Sequence, residues 1–287
     1  MKISNEITGP SILVGAEKAV EYCAAVGFDA WDYPLDHICS TYCGVRKEIA
    51  GSLPMNGNEY LQIARKLRKI GEDNGITCHQ THAPTRWKCA CFTDCMKRTL
   101  EITAEAGAEI CVTHPVDSLS VEQNIEMYQK LLPFAKEYGV KIALENVWMW
   151  DFDNNRFGNS LFSEPAGMKK IMDILDDESF IVCLDTGHAQ IGDLQTSAAD
   201  IVNTMGGRVQ ALHLQDTDLR QDNHEIPFTM NIPFEPIIRA LKNNGYKGYF
   251  SLEAFRPFEN RDAADTLDIM KKQNAAARQL ADMFENI

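Results

Sequence analysis

The sequence predicts a single-domain α/β protein, a closed (β/α)8 TIM barrel spanning residues 1–287. Three observations carry this. Six apolar runs, 76–82, 109–114, 140–145, 180–185, 209–213 and 249–253, close on His82, His114, Glu145, Asp185, His213 and Glu253. Those endings recur every 28 to 40 residues, the length of one strand–loop–helix unit. Gly27, Gly75, Gly107, Gly139 and Gly245 each follow a helical pattern and precede an apolar run, as the residue that takes the left-handed turn at a helix end. Side chains so far apart in sequence meet at one point when the strands are parallel and closed into a ring.

Eight strands are expected near 2–7, 28–33, 76–81, 109–114, 140–146, 180–185, 208–214 and 248–254. Eight helices are expected near 15–26, 58–74, 94–106, 120–138, 165–175, 195–204, 233–244 and 262–285. One unit shows the grammar. Ser120 and Gln123 form a capping-box pattern, and Ile125, Tyr128, Leu132 and Ala135 fall on one helical face. Pro133 should bend that helix. Gly139 closes it before the apolar run 140–144. A doubly wound open sheet is the alternative, but it gathers ligands at one crevice, whereas here six strands supply candidates. There is no Gly-x-Gly-x-x-Gly or Walker pattern to support a nucleotide phosphate site.

Long loops follow strands two (35–58), three (84–92) and five (148–164), where a ligand would be covered. Trp148-Met149-Trp150-Asp151-Phe152 suits either the apolar face of a sugar ring or a neighbouring loop or subunit. Trp150 and Phe152 are the candidate contacts of a homo-oligomer.

Composition narrows the class. Of 287 residues 45% are hydrophobic, enough for a large core. No apolar run is long enough to span a membrane, and the start lacks a signal-peptide pattern, so the expected location is the cytoplasm. A net charge of −13 disfavours binding dominated by nucleic-acid phosphates. The nine cysteines are expected as thiols, with Cys23, Cys111 and Cys183 in the core. Cys39, Cys43, Cys89, Cys91 and Cys95 fall after strands two and three, at spacings that match common zinc or iron–sulfur patterns poorly.

The sharpest chemical set is Glu145, Asp185, His213 and Glu253. Three carboxylates and an imidazole suit one divalent ion of the Mn, Mg, Co or Zn type. A lone strand-end acid is more often a salt bridge or a helix cap; four in succession are not. Arg46, Arg86, Arg156, Arg220 and Arg256 fall in loops on the same face. Any one of them can meet a substrate anion, though each alone reads as a solvated charge. His37 and His79 carry no functional reading.

The chain resembles the xylose isomerase-like barrels, a superfamily of sugar isomerases, ketose 3-epimerases, inosose dehydratases and endonuclease IV. The resemblance rests on Leu144-Glu145-Asn146, Cys183-Leu184-Asp185-Thr186-Gly187-His188, Leu212-His213-Leu214-Gln215-Asp216 and Ser251-Leu252-Glu253. It implies a divalent-metal sugar or sugar phosphate isomerase or epimerase with Glu145, Asp185, His213 and Glu253 as ligands. Glu145 and Glu253 are then the two bases of proton transfer through an enediolate. It also implies His188 on a substrate oxygen and Asp216 behind His213. His82, His114, Trp148 and Arg220 are read as substrate-binding. Dehydration of a keto-inositol-like substrate is a near neighbour on the same site. The endonuclease IV pattern implies up to three zinc ions instead: His82, His114 and Glu145 for one, the core set for a second, and His188 with Asp222 and His224 for a third. Against that pattern stand the net charge, Gly187 where those nuclease sequences have Cys, and the run 225–231 in place of a Gly-rich turn. The epimerases usually carry an Arg six residues beyond the His matching His213; here Leu219 stands there and Arg220 follows.

Overall fold

In a computed structural model, which describes residues 1–35, 59–84, 92–116, 119–194 and 196–287, the eight main strands form one parallel sheet. They are β1 (Ile3–Glu6), β2 (Ala30–Pro34), β3 (Thr77–His82), β4 (Ile110–Thr113), β5 (Lys141–Glu145), β8 (Phe180–Asp185), β9 (Val209–His213) and β10 (Phe250–Leu252). Their order is β10-β1-β2-β3-β4-β5-β8-β9. Between its two ends Leu214 N–H donates to Ser251 O at 2.8 Å and Glu253 N–H to Leu214 O at 3.1 Å, which closes the ring. Closure satisfies the edge groups an open sheet would expose, and the expected TIM barrel is the observed fold.

The helices alternate with the strands: α1 (Thr8–Val14), α2 (Ala16–Val26), α3 (Glu59–Asp73), α4 (Phe92–Glu105), α5 (Val121–Tyr138), α6 (Pro165–Leu175), the short α7 (Thr186–Ala189), α8 (Ala198–Met205), α9 (Phe234–Asn243) and α10 (Thr266–Asn286). The unit used above as an example forms as written. Ser120 caps α5 in a full capping box, and Gly139 ends it at φ 66°, a left-handed conformation that costs any residue with a Cβ. Pro133 lies inside α5 and does not end it.

Three departures matter. The loop after β5 contains an antiparallel hairpin, β6 (Trp148–Asp151) with β7 (Arg156–Asn159). Asp151 builds its turn by accepting the backbone N–H groups of Asp153 and Asn154. Helix α1 sits where a loop was expected. Cys95 lies buried inside α4 rather than in a loop; Cys39, Cys43, Cys89, Cys91, His37, Arg46 and Arg86 lie outside the described residues.

The barrel interior is layered. Val112, Ala143, Ile181, Cys183 and Ala211 form an apolar plug of residues from four adjacent strands. Polar side chains stand above it at the strands' carboxyl ends. The β2–β3 register slips between Trp31 and Asp32, so that Trp31 pairs Cys78 while Asp32 pairs Gln80. The bulged residue is His79, whose ring packs against Tyr249 with centroids 4.5 Å apart and planes tilted by 32°. A bulge re-aims the side chains beyond it, and here the beneficiaries are Gln80 and His82.

Truncating the plug should leave a cavity that a closed ring cannot collapse. Ile181→Ala is expected to cost about 2–5 kcal/mol in urea unfolding; a loss well under about 1 kcal/mol would contradict a filled interior.

Candidate metal centre

The site grows from four strand ends. Glu145 ends β5 and is fully buried. Its Oε2 faces His82 Nε2 and His114 Nε2, each at 3.1 Å, and its Oε1 faces His213 Nδ1 at 3.0 Å. Asp185, at the end of β8, caps α7 by accepting the His188 N–H at 2.6 Å. That contact throws the His188 ring back into the barrel mouth, where Nδ1 lies 3.6 Å from both Glu145 Oε1 and Asp185 Oδ1. Glu253, just beyond β10, brings Oε2 to 3.6 Å from His213 Nδ1 and from His224 Nδ1.

Each of four histidines has one ring nitrogen committed elsewhere. His82 Nδ1 faces Ala83 O at 2.9 Å, His188 Nδ1 faces Asn146 O at 2.9 Å and His224 Nδ1 faces Glu253 O at 3.0 Å. A carbonyl oxygen only accepts, so these nitrogens carry the proton. His213 Nε2 lies 3.1 Å from Asp32 Oδ2, another pure acceptor when ionised. The opposite nitrogens therefore present lone pairs, and they present them to carboxylates: Glu145 for His82 and His213, and Asp222 for His188 at 3.1 Å and His224 at 3.2 Å. A lone pair against a carboxylate is repulsive unless a cation lies between them. That cation is a proton or a metal ion, and a ligating histidine ordinarily anchors its other nitrogen in this way.

The charges follow. Burial pulls the His213 and His188 imidazoles down, but the carboxylates around them hold both well above the ordinary value. His82 and His224 also rise against burial, to about 9. His114 goes down because burial outweighs Glu145. Burial pushes the Glu145 carboxyl up, yet His213 and His114 hold it well below its usual range. Glu253 goes up through burial and the nearby Glu145.

The donor groups converge in overlapping clusters, three of which matter most. Ligand atoms of Glu145, Asp185, His213 and Glu253 lie within 4.8 Å of one another; so do those of His82, His114 and Glu145, and those of His188, Asp222 and His224. Oxygen and imidazole donors in this mixture fit Mg, Mn, Co or Zn. Cys183 lies beside Glu145 and His213, but burial drives its thiol far upward, which disfavours the thiolate a metal needs.

The remaining expected residues separate. Trp148, at the root of the hairpin, donates its indole N–H to Asp222 Oδ2 at 3.0 Å, so it belongs to the site. Arg220 is exposed, with its backbone N–H held by Asp218. Asp216 accepts the backbone N–H groups of Thr217, Met230 and Ile232. It pins the 217–232 loop, and the carboxylate on His213 Nε2 is that of Asp32 instead. His224 sits on that loop at φ 49°, a strained backbone for a non-glycine residue. It is held by its N–H to Gln215 Oε1 at 2.8 Å and by Phe255 stacked at 4.2 Å.

Gln215 was not singled out from the sequence. Its Nε2 lies 3.2 Å from both Asp185 oxygens and 3.1 Å from Asp222 Oδ1, tying two clusters together. A Cβ on Gly187 would lie 2.3 Å from Gln215 Cδ, so this glutamine requires that glycine. Asn146 follows Glu145 directly at the end of β5. It exchanges two hydrogen bonds with the Asp185 backbone and so locks β5 to β8 at the metal level.

A parallel barrel with converging His, Asp and Glu side chains at the carboxyl ends of its strands defines a class, and residues 20–273 match the xylose isomerase-like TIM barrel family. The chain belongs to that family. It is 25% identical to the D-psicose 3-epimerase of Ruminiclostridium cellulolyticum over 229 residues, 72% of this chain and 73% of that protein. It is 31% identical to the inosose isomerase of Halalkalibacterium halodurans over 143 residues, 46% of each. An uncharacterised protein of Methanocaldococcus jannaschii is 24% identical over 188 residues, and the chain spans 61% of its length. Among solved structures, a D-psicose 3-epimerase crystallised with D-fructose superposes with a TM-score of 0.72 at 19% identity, over 98% of this chain and 99% of that one. A zinc-bound IolI protein gives 0.70 at 15% identity, over 99% of each. At these identities the superpositions show the fold.

The raised groups set a pH dependence for the metal-free protein. The stability due to His82 and His224 is complete below about 6.5 and is lost as pH rises through about 9. Glu6, pushed up to about 8 chiefly by burial, has the same sign: folded, it keeps a proton that the unfolded chain gives up. In chelator the urea midpoint should therefore fall between pH 6.5 and 9, and divalent metal, by replacing the protons, should flatten the slope. A midpoint that is constant or rising in chelator would contradict this charge distribution.

Proposed function

We propose that this chain is a divalent-metal-dependent isomerase or epimerase of a small sugar or sugar derivative, working by two-carboxylate proton transfer. The observation that carries the reading is the Glu145, Asp185, His213 and Glu253 cluster at four strand ends, in a family whose relatives include a ketose 3-epimerase and an inosose isomerase. These four residues would hold the ion. When bound, it supplies Lewis-acid polarisation of a substrate carbonyl.

The residues then divide the work. Glu253 lies at the barrel mouth, and its raised carboxyl suits it to take the proton from the carbon beside the carbonyl. Glu145 is its partner on the other face: whichever of the two carboxyls enters the step protonated gives its proton to the enediolate, while the other keeps the one it removed. His188, fixed at Nδ1 by Asn146 O and kept protonated by the carboxylates around it, would offer to a substrate oxygen the Nε2–H that faces Asp222 Oδ2 at 3.1 Å. His82, His114 and Trp148 line the pocket, and the Trp148 indole offers an apolar face to a sugar ring. Loss of a hydroxyl from the same enediolate would make the chain a dehydratase, the activity named for the inosose dehydratase of Clostridium perfringens, 25% identical over 45% of this chain.

One observation favours a second reading. Two of the three donor clusters share Glu145, the third is His188, Asp222 and His224, and together they account for all nine ligand types of a trinuclear zinc phosphodiesterase. A net charge of −13 opposes DNA as its substrate.

Metal analysis of protein loaded by dialysis separates the two: about one ion per chain for the first reading, near three zinc ions for the second. With a panel of ketoses in deuterated water, the wild type should exchange the proton next to the carbonyl. Glu145→Gln and Glu253→Gln should each slow that exchange by roughly 10²–10⁴-fold. Full exchange in either variant would sink the two-base scheme, and nicking of abasic-site DNA by the pure protein would move the second reading to first place.

A further inference from the structure

Asp32 lies at the middle of β2, fully buried, and belongs to none of the three donor clusters. Its Oδ2 faces His213 Nε2 at 3.1 Å and accepts from Gln80 Nε2 at 2.6 Å. The Gln80 Nε2 itself is 3.1 Å from His213 Nε2 and 3.4 Å from Leu212 O, the residue before His213, so three strands brace one imidazole, and of the two neighbours of Nε2 only the Asp32 carboxylate can accept its proton. Asp32 Oδ1 has no hydrogen-bond partner among the described residues, which leaves the carboxylate directed at His213 and Gln80 alone. With Nε2–H spent on Asp32, His213 can meet a metal only through Nδ1, the nitrogen that faces Glu145 and Glu253.

We propose that Asp32 is a positioning residue for the metal: it selects the His213 tautomer and ring orientation that present Nδ1 to the Glu145–Asp185–Glu253 set, with Gln80 holding the carboxylate in place. The inference rests on the metal-dependent reading above. Second-layer partners of this kind ordinarily contribute 10–100-fold to metal affinity.

The experiment measures Zn²⁺ and Mn²⁺ affinity by competition with a fluorescent chelator for wild type, Asp32→Asn and Asp32→Ala, with thermal unfolding of each. The expected result is a 10–100-fold loss for Asp32→Ala and a smaller one for Asp32→Asn, whose amide oxygen still accepts from Nε2–H. In wild type, ¹⁵N NMR of the Zn²⁺-loaded protein should show His213 protonated at Nε2 and metal-bound at Nδ1. That spectrum requires no variant and holds the inference to account even if the substitutions unfold the chain. Equal affinity in all three proteins, or zinc on Nε2, would overturn the role of Asp32 while leaving the metal-dependent reading standing. Wild type that binds neither ion would overturn that reading and this inference with it.

Discussion

The site depends on how its histidines are tethered. Each of His82, His188, His213 and His224 spends one ring nitrogen on a backbone carbonyl or on Asp32, and the other is left facing a carboxylate. A lone pair aimed at an anion is unstable in a buried, low-dielectric setting, so the arrangement demands positive charge at the barrel mouth. In the metal-free chain protons supply it, which is why imidazoles that burial alone would neutralise are instead pushed up. In a loaded chain a metal ion would replace them. The preorganisation is local and cheap: a strand end supplies the side chain, and the next peptide, or a neighbouring strand, supplies the tether.

Barrel closure turns these local devices into one site. Asn146 exchanges hydrogen bonds with the Asp185 backbone, Gln215 bridges Asp185 and Asp222, and Leu214 joins β9 to β10. Beneath them an apolar plug from β4, β5, β8 and β9 packs inside the ring, and the polar layer rests on it. The Gly187–Gln215 fit couples backbone choice to chemistry. Any side chain at 187 would displace the amide that joins the two carboxylates.

Much of this was legible in the sequence because a barrel writes its site periodically. His82, His114, Glu145, Asp185, His213 and Glu253 stand out as polar residues ending apolar runs, and all six meet in the structure. Asp32 and Gln80 were not legible. Both lie inside strands, among Trp31, Tyr33 and Cys78, where no pattern marks them, and the register slip that pairs them is a property of the folded sheet. The family resemblance implies Asp216 behind His213, and the structure puts Asp32 there instead. The strand has already ended at Asp216, whose bridge to Glu225 turns the carboxylate toward the loop that carries Asp222 and His224. The hairpin after β5 escaped because Trp, Met and Phe in a long loop read equally as ligand contacts.

The central claim is that buried carboxylates and one-ended histidines around Glu145 exist to hold a cation. Anomalous diffraction at the metal edge, from crystals grown with Mn²⁺ or Zn²⁺, tests it most directly. A peak within bonding distance of Glu145, Asp185, His213 and Glu253, with His213 bound through Nδ1, is the expected result. A fully loaded crystal with no peak at those four residues would contradict it.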